Sequence, residues 1–193
     1  DDGELKGWIE TRDTLLPGYL SELDSLAAAI VSGVNAIHSA GTTLDGTTTT
    51  GVNFFDPTGT TAGSIAVNSA VLANTDLIAA ADATEGIPGG NQAAIDIAEL
   101  QNTTQATLGN ATFDDFYSAL VGTIGNDLNT ASFNYDHQIT MLNQLENQRQ
   151  EISGVSLDEE MVNLIKFQHA YNAAAKMITT ADELIQTLLG LVQ

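Results

Sequence analysis

Cysteine is absent from the 193 residues. Its absence excludes disulfide staples, zinc–thiolate sites and thiol nucleophiles. Basic residues are scarce: five Lys and Arg stand against 25 Asp and Glu, a formal charge of −20. The five are Lys6, Arg12, Arg149, Lys166 and Lys176, scattered singly. No basic patch exists to neutralise phosphates, so neither nucleic acid nor an anionic membrane is an expected partner. No apolar run reaches the roughly 20 residues of a membrane span. No signal-peptide pattern opens the chain, which begins at Asp1 without Met; a processed or shortened chain is expected.

What is present is most informative at the end of the chain. Ser156 and Glu159 have the S-x-x-E spacing of a capping box, in which each side chain satisfies a backbone N–H at the other's position. Asp158, Glu159 and Glu160 add negative charge to the first turn, where the helix dipole favours it. Leu157, Met161, Leu164, Tyr171, Ala175, Ile178, Ile185, Leu189 and Val192 then recur at 3-4 spacing. From Ala174 a second stripe joins: Ala174, Met177, Ala181, Leu184, Leu188 and Leu191. A helix apolar over most of its girth requires several partners. Earlier chain or other molecules must cover this one.

Residues 4–39 predict a helix with the stripe Leu16, Leu20, Leu23, Ala27, Ile30, Val34 and Ile37. Pro17 predicts a bend or restart within it, and Gly41 a stop. Residues 41–63 are rich in Gly and Thr, with Asp45-Gly46 as a hairpin-type turn signal and Phe54-Phe55 as aromatic anchors. Residues 64–67 fit a short strand, and the Ala-rich stretch 68–83 fits helix or extended chain equally. Gly86, Pro88, Gly89 and Gly90 mark a loop. A short helix over 91–101 would bury Ala94, Ile95, Ala98 and Leu100.

Thr112 and Asp115 start a long helix over 112–152. Its stripe is Tyr117, Leu120, Ile124, Leu128, Ala131, Tyr135, Leu142 and Leu145. The expected fold is mainly α: an elongated antiparallel helical bundle with a small irregular α/β insertion and a long C-terminal helix. The expected domains are 1–40 with 112–153 as the bundle, 41–111 as the insertion and 154–193 as the terminal helix.

Chemistry is sparse. His38, His137 and His169 lie far apart, and none has a second His at i+4 as a helical zinc site needs. No G-x-S-x-G elbow, phosphate loop or G-x-G-x-x-G occurs. Neither cofactor, metal nor catalytic residue is expected. Asp114-Asp115 and Asp158–Glu160 fall in first helical turns, where acids serve the dipole. The insertion's acids, Asp45, Asp56, Asp76, Asp82, Glu85, Asp96 and Glu99, show no pairing that points to hydrolysis, though cell-wall hydrolysis there stays open as a minor alternative.

The terminal helix resembles the C-terminal signature of bacterial flagellar axial proteins, the family of hook, rod and hook-associated proteins. The residues that carry it are 157–164 (LDEEMVNL), Phe167-Gln168, Ala170-Tyr171, Ala173 to Ala175, Ile178, 180–184 (TADEL) and Thr187 to Leu189. This signature is shared across the family. The front of the chain looks like the hook-associated members found at the hook–filament junction. There the matching residues are 3–10 (GELKGWIE), Arg12-Asp13, Leu16-Pro17, Tyr19-Leu20, Leu23-Asp24, Val34-Asn35, His38, Gly41 and Phe54-Phe55.

The resemblance implies a structural, non-enzymatic protein of the extracellular flagellum, exported by the flagellar type III route without a cleaved signal peptide. It implies a longer parent protein whose N-terminal helix pairs with the last helix. Implied partners are further copies in a helical oligomer, the hook protein, the second junction protein and an export chaperone on the terminal helix. The residues expected at the assembly and chaperone interface are Leu164, Phe167, Tyr171, Ala175, Ile178, Ile185 and Leu189, with Ser156 and Glu159 as helix cap. Another axial member, such as the second junction protein or a hook or rod subunit, and a soluble helical adaptor with one partner groove remain as alternatives.

Overall fold

Residues 3–44, 51–154 and 156–191 are described by a computed structural model. The Asp45-Gly46 turn and Val192 lie outside them. The chain is mainly helical with one two-stranded sheet. It divides into two compact units, Asp1–Ala131 and Ser132–Gln193.

In the first unit, α1 (Glu4–Glu10) passes through a π-helical turn (Thr11–Leu15) into α2 (Leu16–Ala40). The restart expected near Pro17 is found there: α2 begins at Leu16, after the π-helical turn. Pro17 sits in the first turn of α2, and Leu16 before it keeps helical dihedrals of −61° and −45°. A proline ring crowds the carbonyl four residues back and removes one N–H. The wider π turn just ahead of Pro17 relieves that crowding while the helix continues. This continuous helix is long and apolar enough to span a membrane by length and composition, contrary to expectation. Its C-terminal half is instead a core helix of the first unit. There Ala27, Ala29, Val31, Val34, Asn35 and His38 are buried. Of the expected stripe, Ala27 and Val34 are buried, Leu23, Ile30 and Ile37 are half-buried, and Leu16 and Leu20 are exposed.

The insertion wraps that half of α2. β1 (Thr42–Thr43) pairs antiparallel with β2 (Ala79–Ala81), Thr42 opposite Ala81 and Thr43 opposite Ala79. Residues 64–67 form no strand; a single bridge joins Val67 to Phe55. The ambiguous Ala-rich stretch resolves into α3 (Ser69–Ala73), a 3-10 turn (Thr75–Leu77) and β2. Asn68 caps α3 by accepting from the Ala70 N–H at 3.0 Å.

α4 (Gln92–Glu99) buries Ala93, whereas Ala94, Ile95 and Ala98 are exposed and Leu100 is half-buried. The expected face was off by about one residue, because two helical turns give the apolar period little to fix it. Small residues let these layers meet. A Cβ on Gly41 would lie 2.9 Å from Ala79 Cβ and 3.0 Å from Ala81 O. Gly41 itself has extended dihedrals, −77° and 175°; proximity, not φ, demands glycine there.

α5 (Phe113–Ser153) starts at a cap in which Thr112 Oγ1 accepts from the Asp115 N–H at 3.1 Å. Its first turns run antiparallel to α2. The Tyr19 hydroxyl donates to Asp127 Oδ2 at 2.7 Å at one end. At the other, Phe113 and Leu100 lie against Gly33. Of the stripe expected in α5, Leu120 is buried; Tyr117, Ile124, Leu128, Tyr135, Leu142 and Leu145 are exposed. In the second unit, α6 (Leu157–Gly190) has no buried residue.

Candidate assembly interface

α6 begins where sequence chemistry places it. Ser156 has extended dihedrals and its Oγ accepts from the Glu159 N–H at 3.4 Å, one arm of a capping box. Asp158, Glu159 and Glu160 occupy the first turn. Leu164, Phe167, Tyr171, Ala175, Ile178, Ile185 and Leu189 fall along one side of the helix at 3-4 spacing. The large ones are exposed, from 56% for Ile185 to 76% for Tyr171, and Ala175 is exposed too. None of them is buried among the described residues.

A second apolar face lies roughly 140° round the helix at 100° per residue. It includes Ala173, Met177, Leu184, Leu188 and Leu191, and the four large ones are again exposed. Between Glu160 and Asp182 the helix has no acid and two lysines, Lys166 and Lys176. Lys176 lines a shallow depression on the second face together with Ala173, Met177, Thr180, Ala181 and Leu184.

The first unit has its own open feature. A trough of ≈ 350 Å³ runs between α2 and α5, lined by Gly18, Tyr19, Glu22, Phe116, Ala119, Leu120 and Thr123. The hydrogen bond to Asp127 holds the Tyr19 phenol above its ordinary pKa, with burial and the charge of Asp127 adding to the effect. From Asp13 through Gln148 the sequence contains no Lys or Arg, so this surface is anionic.

Two buried polar side chains secure the unit, and sequence reasoning assigned neither a role in the fold. Asn35 pairs with the Phe55 backbone at both ends of its amide: Nδ2 donates to Phe55 O at 3.1 Å, and Oδ1 accepts from Phe55 N at 2.8 Å. His38 ties a loop to β2, with Nδ1 2.8 Å from Val52 O and Nε2 accepting from the Ala79 N–H at 3.0 Å. That pattern requires the tautomer with hydrogen on Nδ1. The Phe54 ring stands edge-on to His38 at 5.4 Å. The detectable signal was a polar pair at i and i+3 inside an apolar helix face. His137 and His169 are exposed.

Three of the insertion's acids, Asp56, Asp82 and Glu85, build turns and a helix start. Asp56 Oδ1 accepts from the Thr58 N–H and hydroxyl at 2.9 and 2.7 Å. Asp82 Oδ1 accepts from the Thr84 N–H and hydroxyl, both at 2.7 Å, and from the Glu85 N–H. Glu85 Oε2 in turn accepts from the Gln92 N–H at 2.8 Å and caps α4 from outside. The Thr84 hydroxyl, then its N–H, holds the Asp82 carboxyl below the usual carboxylate range, and Thr58 does the same for Asp56. A general acid needs the opposite shift.

A depressed folded-state pKa adds stability above the unfolded value, lost as pH falls through the folded value. These turns are therefore expected to hold at neutral pH and loosen only below the ordinary carboxylate range. Thr84→Ala should move the Asp82 titration upward, toward the ordinary carboxylate range, in carboxyl-carbon NMR. An unmoved titration would remove Thr84 as its cause.

Among the described residues, no cluster of three or more His, Asp or Glu is arranged to hold a metal ion. Comparison with known proteins gives a consistent picture. Residues 1–55 match the family described as flagellar hook-associated protein FlgK helical domain. Residues 146–191 match the family described as flagellar basal body rod FlgEFG protein C-terminal. Flagellar hook-associated protein 1 of Bacillus subtilis is 35% identical over 98% of this chain and 37% of its own length. The protein of that name from Salmonella typhimurium is 40% identical over 48% of this chain and 17% of its own length. Flagellar basal-body rod protein FlgG of Buchnera aphidicola is 50% identical over 20% of this chain and 15% of its own length. The chain thus spans well under half the length of these relatives. No solved structure matches it.

Proposed function

We propose that this chain, which belongs to the flagellar hook-associated protein 1 family, is a structural and non-enzymatic part of the bacterial flagellum that joins hook to filament by helical self-assembly. The observation that carries this reading is α6. It is a 34-residue helix without a buried residue, apolar on two faces. Exposed apolar area of that extent marks an interaction surface. Head-to-tail contacts that do not close generate tubes rather than rings. Leu164, Phe167, Tyr171, Ala175, Ile178, Ile185 and Leu189 are the packing residues of the proposed interface. Before export, a cytoplasmic chaperone would cover the same stripe. The hook protein and the second junction protein are the proposed neighbours outside the cell.

A second reading, a rod or hook subunit, draws support from the rod-type match over residues 146–191. Both readings make α6 an assembly element. Size-exclusion chromatography with light scattering on the whole chain and on a version ending at Ser153 tests this. The whole chain should associate, and the shorter one should be monomeric. If both are monomeric and equally helical per residue, α6 is no assembly element and the self-contained adaptor takes its place.

A further inference from the structure

We infer that His38 is a pH-sensitive latch, fastening β2 to α2 while its imidazole is neutral and releasing it in acid. The inference concerns the first unit alone and does not rest on self-assembly. Both ring nitrogens are committed, Nδ1–H to Val52 O at 2.8 Å and Nε2 to the Ala79 N–H at 3.0 Å. A proton can add only at Nε2, the nitrogen that already accepts. Two N–H groups would then face each other at the start of β2. The ring is 2% exposed, so the new charge would have little water to solvate it. Asn35, one turn earlier on α2, holds Phe55 through an amide that does not titrate. The 52–55 end of the insertion therefore stays anchored, and β2 is the part that lets go.

The segments bonded to the ring, Val52–Phe55 and β2, carry no ionisable side chain, and neither do β1 nor α2 from Val31 to Ala40 apart from His38 itself. Around them the charged groups are all acids: Asp56, Asp76 and Asp82 at the flanks, Glu85 ahead of α4, and Asp96 and Glu99 within it. α5 adds Asp114 and Asp115 where Phe113 meets α2 beside Gly33. Both partners of the ring are backbone groups, so none of these acids is placed to take up a new Nε2–H. Asp56 and Asp82, held below the usual carboxylate range by their threonines, keep their charge while histidine titrates. His137 and His169 are exposed in the second unit. An unfolded imidazole takes up its proton below about 6.5. From there downward the opened chain binds more protons than the closed one, so closure weakens as pH falls.

Hydrogen exchange of the Ala79 amide on the full chain, taken relative to its intrinsic rate, tests the latch. Protection should fall about thirtyfold between about pH 7.5 and 5, the factor that one proton with an unfolded-state value near 6.5 sets. In His38→Gln, which keeps a donor and an acceptor but does not titrate, protection should stay level over the same range. An equal fall in His38→Gln, or a level parent, overturns the inference. Nitrogen NMR of the His38 ring in the parent chain decides the matter should the variant not fold. Loss of Ala79 protection should track proton uptake at Nε2. An imidazolium beneath a still-protected Ala79 amide overturns the latch.

Discussion

Replacing His38 with leucine is expected to lower the stability of the first unit by about 2–5 kcal/mol, since each buried polar group left unpaired costs about 1–3 kcal/mol. The imidazole serves a loop and β2 at once, Val52 O on one nitrogen and the Ala79 N–H on the other. Leucine fills much of the volume but serves neither group. It also removes the edge-on contact with Phe54. The loss is large against a total of about 5–15 kcal/mol for an ordinary domain. It is larger still in proportion here, because Ala27, Ala29, Ala79, Ala81 and Ala93 supply half of the buried apolar residues among those described. An alanine buries little area, so apolar burial contributes less than usual. Amide exchange within residues 52–81 reads the effect directly. His38→Gln, which keeps a donor and an acceptor, should recover part of it. A loss under about 1 kcal/mol for His38→Leu would mean that the loop and β2 find other partners.

The second large effect belongs to α6. Ile185→Asp with Leu189→Asp is expected to stop assembly and chaperone capture together. A buried Leu or Ile contributes about 2–5 kcal/mol, and a charge in its place adds a desolvation cost. Two such sites exceed about 4 kcal/mol, at least three powers of ten in association. The lone chain should stay as helical and as stable as the parent, since both residues are exposed in it. Filament growth on hooks supplied with the variant is the decisive measurement. Normal growth would remove this stripe from the interface. A marked loss of stability in the isolated variant would show that the stripe already serves the monomer.

Those two residues also show what a single sequence reveals. Long helices announce themselves through caps and period. Ser156 and Thr112 start α6 and α5 as their spacing predicts, because a cap involves residues only three apart. Burial was far less legible. The α5 stripe has the period of a core helix, yet beyond Leu120 its large residues are exposed, since period shows that a face needs cover and not what supplies it. Asn35 and His38 bond to backbone groups 14 to 41 residues away, and no local pattern encodes such pairings. The stretch 68–83 stayed ambiguous because alanine tolerates both helix and strand. Gly41 and Ala93 decide the matter by leaving only enough room for methyl groups.

The placement of the few cations has a consequence for the bench. Trypsin cleaves after lysine and arginine, and between Arg12 and Arg149 it has nothing to cut. Among the described residues, the buried ones all lie inside that interval. Lys166 and Lys176, by contrast, stand on α6, a helix with no buried residue. One inexpensive enzyme can therefore cut α6 at two places, Lys166 and Lys176, and has no site between Arg12 and Arg149, the interval that folds around α2. The rate of cleavage at Lys176 becomes a clock for α6 occupancy: fast in the lone chain, slow wherever another molecule has closed over it.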